Sequence, residues 1–228
     1  KFRPKLNMKK IAINFLAVLF ISALSFTKVF AAEYTMGISG AIVQLEADGS
    51  ETETGRVSAE TTPASVSNTF ATGSIFAEAK FGQLAFGIDY VPMDADVSDA
   101  THTRTDMETS VTGDDDEVTT ARTQTAAAEV SDHFTLYLNY FLFDAIYLHL
   151  GYASVDVSSN ESLDTGSKYG NVNIDGIQYG LGIQMTDNLR LEAAYTDYDD
   201  VKLTSSVART NVDTNNTISA DLDTTQIK

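Results

Sequence analysis

Apolar and polar residues alternate along most of this chain in segments of about ten, the period of a half-buried or lipid-facing strand. The clearest pair is GIQYGLGIQM and LRLEAAYTDYD, joined by Thr186-Asp187-Asn188. Tyr179, Leu181, Ile183 and Met185 share one face with Leu189, Leu191, Ala193 and Tyr195, while Gln178, Gly180, Gly182, Gln184, Arg190 and Glu192 share the other. Earlier segments repeat the pattern: YTMGISGAIVQL, FATGSIFAEAKF, LAFGIDYVP, HFTLYLNYFLF and AIYLHLGYASV. ISADLDTTQIK begins an eighth, which looks truncated at Lys228. Connections at Gly82, Asp144 and Asp187 are tight, whereas those near 46–69, 94–131, 155–173 and 199–218 are long and polar.

A soluble antiparallel sheet buries its apolar face, but here the opposite face is small or polar in every hairpin, with little bulk for a dry core. Gly37, Gly87, Gly151, Gly180 and Gly182 all fall on it. Long connections without structure are unusual in compact soluble domains. Short turns at one end and long loops at the other are what a membrane barrel shows. The expected fold is therefore all-β: an eight-stranded antiparallel up-and-down transmembrane β-barrel, with short periplasmic turns and long extracellular loops. Aromatic residues near strand ends suggest two interfacial girdles: Tyr34, Phe81, Tyr140 and Phe143 at the short-turn side, and Phe70, Tyr90, Tyr152 and Tyr195 toward the loops.

The start of the chain agrees with export. Residues 1–7, KFRPKLN, look like an extension upstream of the first start site, Met8. Lys9 and Lys10, the apolar IAINFLAVLFISALSF and the small-residue pattern VFA together read as a signal peptide over 8–31, cleaved near Ala31. That leaves 32–228 as the barrel domain. Six of the 15 basic residues and none of the 32 acids precede Ala32, so the mature chain has nine bases against 32 acids, a formal charge of −23. Such a surface repels nucleic acid, which needs a basic footprint. With no cysteine there are no disulfides and no zinc-type Cys/His site.

The Gly-x-x-Tyr-Gly-x-Gly strand, the Asp-Asn turn and the Leu-Arg-Leu-Glu-x-x-Tyr strand resemble those of the outer-membrane barrel family that includes the OmpA transmembrane domain and opacity-type proteins. FGIDYVP, Phe86–Pro92, is a weaker match. The resemblance implies a Gram-negative outer membrane, contact with its lipid and folding by the barrel-assembly machinery. Family strands close on a terminal aromatic residue, from which TTQIK departs.

Glu78 and Lys80 lie just before one tight turn and Arg190 and Glu192 just after another, all facing inward at similar depth. Charges in a narrow interior must be paired. The resemblance implies that these four form an ion-pair network, extended by Asp89 and His149. It would act either as a structural plug or as a gated path for small ions. His102, His133 and His149 stand at no recognisable spacing from a nucleophile, so no catalytic residue, cofactor or metal ligand is expected. GDDDE, Gly113–Glu117, lacks the spacing of a calcium loop. The expected function is a structural outer-membrane protein; a small-conductance porin-like channel and a surface adhesin acting through the acidic loops are the alternatives.

Overall fold

The computed structural model describes residues 32–54, 59–98, 102–111, 117–162, 168–206 and 215–228. The proposed signal segment, residues 1–31, and Gly113–Asp116 of the acidic stretch lie outside the described residues. The described chain is almost entirely strand: β1 (Glu33–Thr54), β2 (Ala59–Phe81), β3 (Leu84–Val91), β4 (Ala95–Asp96), β5 (His102–Val111), β6 (Glu117–Phe141), β7 (Ile146–Ser162), β8 (Asn171–Thr186), β9 (Leu189–Tyr198), β10 (Val201–Thr204) and β11 (Thr217–Ile227).

These make eight staves. β3, β4 and β5 pair in turn with β6, and β9 and β10 pair in turn with β11, so each set forms one interrupted stave. All ladders are antiparallel, and β1 meets β11 from Ile42↔Ile227 to Thr52↔Thr217, closing the ring. Below that seam Glu33–Ala41 pair with β2 among the described residues. At the β2–β3 turn Gly82 takes φ +62°, a left-handed conformation that glycine adopts without steric cost.

The staves are longer than a membrane requires. β1, β2 and β6 run for 22, 23 and 25 residues, whereas crossing a bilayer takes about 9–11. The long connections expected between strands are thus largely strand themselves, carrying the barrel well past its apolar belt. Their Ser, Thr and Asp content reflects the water outside this part of the wall. The matching apolar positions point inward two residues apart, as Val155 and Val157 or Val201 and Leu203 do.

Both faces of the wall change character at one height. On β7, Ile146, Leu148, Leu150 and Tyr152 point outward below, and Ser154, Asp156 and Ser158 above. Inward, Tyr147, His149 and Gly151 give way to Ala153, Val155 and Val157, all three fully enclosed. On β1, outward Tyr34, Met36, Ile38 and Ile42 give way to Gln44, Glu46 and Asp48, just where the inward set passes from Ser39 to Val43 and Leu45. The upper barrel is packed by Leu45, Val155, Ile174, Tyr198, Leu203, Leu222 and their neighbours. The lower barrel turns its apolar residues outward, Met36 and Ile38 each 84% exposed, an area that only lipid would cover.

Two expectations need correction. The upper interior is a dry apolar core, although the small and polar inward residues near the turns gave no hint of one. Phe70, read as part of the outer girdle, is half-buried and lines the interior, because it shares parity with Thr72 and Ser74. Phe86 keeps the outward parity of Leu84 and Ile88 yet is only 6% exposed.

The lower interior also holds rings, each lying across a glycine on the neighbouring strand: Phe76 opposite Gly37, Tyr137 opposite Gly87 and Tyr147 opposite Gly182. A Cβ on Gly87 would stand 2.2 Å from Tyr137 Cζ, and one on Gly182 would stand 2.0 Å from Tyr147 Cζ. Gly37, Gly87 and Gly182 are therefore places for rings rather than signs of an empty lumen. Gly87→Ala is expected to lower the unfolding free energy by about 1–3 kcal/mol through overpacking, read by urea titration of the folded barrel. Gly40→Ala, whose new Cβ meets nothing nearer than 3.9 Å, serves as the control and should change little.

Candidate functional site: the polar interior

The inward positions of β2, β6, β7, β8 and β9 near the short turns converge because the ladder registers bring them to one level. Asn139 stands opposite His149, His149 opposite Gly180, and Gly182 opposite Glu192. A ring of eight staves leaves room for little beyond its own side chains. Glu78, Asp89, Asn139, His149, Gln178, Glu192 and Thr196 are all buried there.

Glu78 and Arg190 form a two-pronged pair, Nη1 to Oε2 and Nη2 to Oε1, each 2.8 Å. The planar guanidinium matches a carboxylate in this geometry, making it a strong form of charge-assisted hydrogen bond. Arg190 Nε donates to Gln184 Oε1 at 2.6 Å, and Asn139 Nδ2 donates to Glu78 Oε2 at 3.2 Å. The Arg190 guanidinium carbon lies 5.8 Å from the ring centres of both Phe141 and Tyr147. Attraction to the ring faces adds to its charge pairing.

His149 links this pair to the next. Its Nδ1 is 2.8 Å from Asn139 Oδ1 and 3.3 Å from Glu192 Oε2, and its Nε2 is 2.8 Å from Gln178 Oε1. Two amide orientations are set by their other bonds: Asn139 donates to Glu78, and Gln178 Nε2 donates to Thr196 Oγ1 at 2.9 Å. Both ring nitrogens of His149 therefore face acceptor oxygens. Tyr147 completes the Glu192 shell, its hydroxyl donating at 3.0 Å. A smaller group lies alongside: Lys228 Nζ to Asp89 Oδ2 at 2.5 Å, with Ser74 Oγ donating to the same oxygen at 2.9 Å and Ser39 Oγ 2.5 Å beyond.

Of the six interior charges expected from the sequence, the structure joins Glu78 with Arg190 and places His149 against Glu192. Asp89 pairs with Lys228, a residue the sequence reading did not include, though Ile227 pointing outward was enough to send Lys228 in. Lys80 lies elsewhere, its Nζ 4.2 Å from the centre of the Phe141 ring, so it takes an aromatic rather than an anionic partner. Asn139, Gln178, Thr196 and Tyr147 were also missed. They are polar inward residues at correct parity, but only the register shows that they touch the charges.

Among the outer aromatics, Tyr34 and Phe143 are widely exposed, Tyr90 and Tyr140 less so, and Phe81 and Tyr152 are half-covered. Tyr195 packs against Tyr179 with ring centres 5.3 Å apart. His133 sits where β6 bulges, and its ring meets Tyr198 edge-on at 6.5 Å. Among the described residues, no group of three His, Cys, Asp or Glu side chains is arranged to hold a metal ion.

No protein-family model and no curated protein matches the chain. It is similar to several solved barrels. Neisserial surface protein A is 16% identical over 84% of this chain and 99% of that one, with a TM-score of 0.34. The attachment invasion locus protein of Yersinia pestis, solved with a heparin analogue, is 9% identical over 82% and 97%, at 0.33. The outer membrane protease OmpT of Escherichia coli is 11% identical over 86% and 96%, at 0.43. At identities and scores this low, no property of those proteins passes to this chain.

Breaking the central pair tests its weight. Glu78→Leu alone leaves Arg190 unpaired and is expected to cost about 3–5 kcal/mol, whereas the double variant Glu78→Leu/Arg190→Met should cost much less. Comparing unfolding midpoints of the two singles, the double and the parent measures the coupling.

Proposed function

We propose that this protein is a structural barrel of a Gram-negative outer membrane, closed to solutes along its axis, which anchors a strand-built projection on the cell surface. The observation that carries this reading is the two-pronged Glu78–Arg190 pair within its hydrogen-bonded shell, set across a narrow lumen beneath an apolar core. A charged network whose members satisfy one another holds its side chains in place and offers a passing ion no free partner. In this reading Tyr34, Phe81, Tyr90, Tyr140, Phe143, Tyr152 and Tyr195 anchor the barrel at the two lipid interfaces, and outer-membrane lipid and the assembly machinery are its partners.

A specific observation also favours a second reading, surface recognition. β5 and the start of β6 pair from His102↔Ala126 to Val111↔Glu117, running on beyond Thr125↔Ser162, where the β6–β7 ladder ends. A projecting ribbon suits adhesion, because exposed segments on a rigid scaffold are where recognition sits.

Purified protein in planar bilayers is expected to give no large, steady conductance steps, and the closed-barrel reading falls if such steps occur. Removing residues 102–124 should abolish attachment to host cells if the ribbon is adhesive; unchanged attachment rejects the second reading.

A further inference from the structure

The barrel wall is incomplete on one side. The β2–β3 ladder runs from Phe81↔Leu84 to Ile75↔Tyr90 and stops there. Pro92 follows at once, with no N–H to extend it, and β4 pairs with β6 alone among the described residues. Above Ile75, β2 therefore keeps its ladder to β1 but forms none with β3 or β4 among the described residues. Opposite the same interruption, β6 shifts register against β7 between Ser131 and Phe134, with Asp132 at φ +49°. The Tyr90 hydroxyl donates to Asp132 Oδ1 at 3.0 Å, and Asn68 Nδ2 donates to Asp96 O at 2.8 Å across the gap higher up. The opening is thus framed below by the last ladder pair and above by one side-chain bond.

An apolar cavity reaches this seam. Phe70 and Thr72 of β2 face Val91, Met93 and Ala95 across it, and behind them lie Val43, Leu45, Val155 and Leu222. Met93 is 46% exposed, and its Cε lies 3.5 Å from where a Cβ on Gly73 would stand, on the outer face of the wall. Polar groups line an adjoining space below, among them Gln226, Thr135 and the Asp89–Lys228 pair.

We propose that this seam is a lateral binding site for the alkyl chain of a neutral-headed, single-chain amphiphile entering from the outer leaflet. The placement argues for that source: Ile75 and Tyr90, at the lower edge, belong to the outward apolar belt, so hydrocarbon continues from lipid into the cavity. The polar floor turns the chain upward toward Leu45 and Leu222. The rim decides the head: Asp94, Asp96 and Asp132 are exposed beside the gap and repel a carboxylate or phosphate. This inference rests on the lipid-embedded reading of the belt, so its test must separate the two.

The chain has no tryptophan, so a single introduced indole reports without background. Phe70→Trp places it in the seam, and Leu148→Trp places it on the belt as a control. Both proteins are reconstituted in phosphatidylcholine vesicles and titrated with a terminally brominated medium-chain alcohol, whose bromine quenches indole on contact. The seam reporter should be quenched saturably and the belt reporter in linear proportion to membrane content. Thr72→Phe, or Ala95→Phe should the first not fold, fills the mouth and should abolish the saturable phase. The matching bromocarboxylate should give a weaker saturable phase than the alcohol. Failure to quench the belt reporter overturns the lipid-embedded reading itself. Linear quenching of the seam reporter with a normal belt response, or saturation that survives the filled mouth, overturns the lateral site alone.

Discussion

A strand has only two faces, and everything in this molecule follows from which solvent each face meets. Where the wall stands in hydrocarbon, the outward residues must be apolar, and the alternation then sends polar groups into a lumen too narrow for bulk water. Those groups have to satisfy one another, which is why Glu78 meets Arg190 through two bonds and why Asn139 and Gln178 are held at both ends. Where the wall rises into water the solvents exchange places. The same alternation then yields an ordinary apolar core around Leu45, Val155 and Leu222. One ring of strands thus contains two opposite interiors stacked end to end.

The lower half of this design was readable from the chain because lipid imposes a strict alternation with large outward residues. The eight staves, the tight turns and the inward direction of Glu78, Asp89, His149, Arg190 and Glu192 all follow from counting by twos. The upper half was misread as loop for an equally physical reason. Its outward residues are Ser, Thr and Asp, and its inward ones are single Val, Ile or Leu separated by them, a composition shared with mobile segments. The shift of phase from Tyr152 to Ala153 and Val155 was present in the sequence, but a run of alternation that changes sign midway looks like its end.

Pairings inside the lumen were hidden for another reason. Parity says that Lys80 and Lys228 both point inward, yet only the register decides that Lys228 reaches Asp89 while Lys80 lies against Phe141. The break between β2 and β4 could not be read either. Pro92 marks a position that cannot donate, but whether a neighbour closes over it depends on the course of β6, whose bulge at Asp132 is set by tertiary contacts.

The rings that lie across glycines bear on how such a wall finds its alignment. Slipping one strand by a single residue exchanges its faces and is refused by lipid at once. Slipping it by two keeps every face in place, so hydrophobicity alone would accept the error. Phe76 and Tyr137 would not: moved two places, Phe76 would lie on Thr35 or Ser39 instead of Gly37, and Tyr137 on Ala85 or Asp89 instead of Gly87. Each ring and its glycine therefore act as a key and slot that proofread the even-numbered slips, a fidelity device for assembly that the finished barrel shows only as good packing.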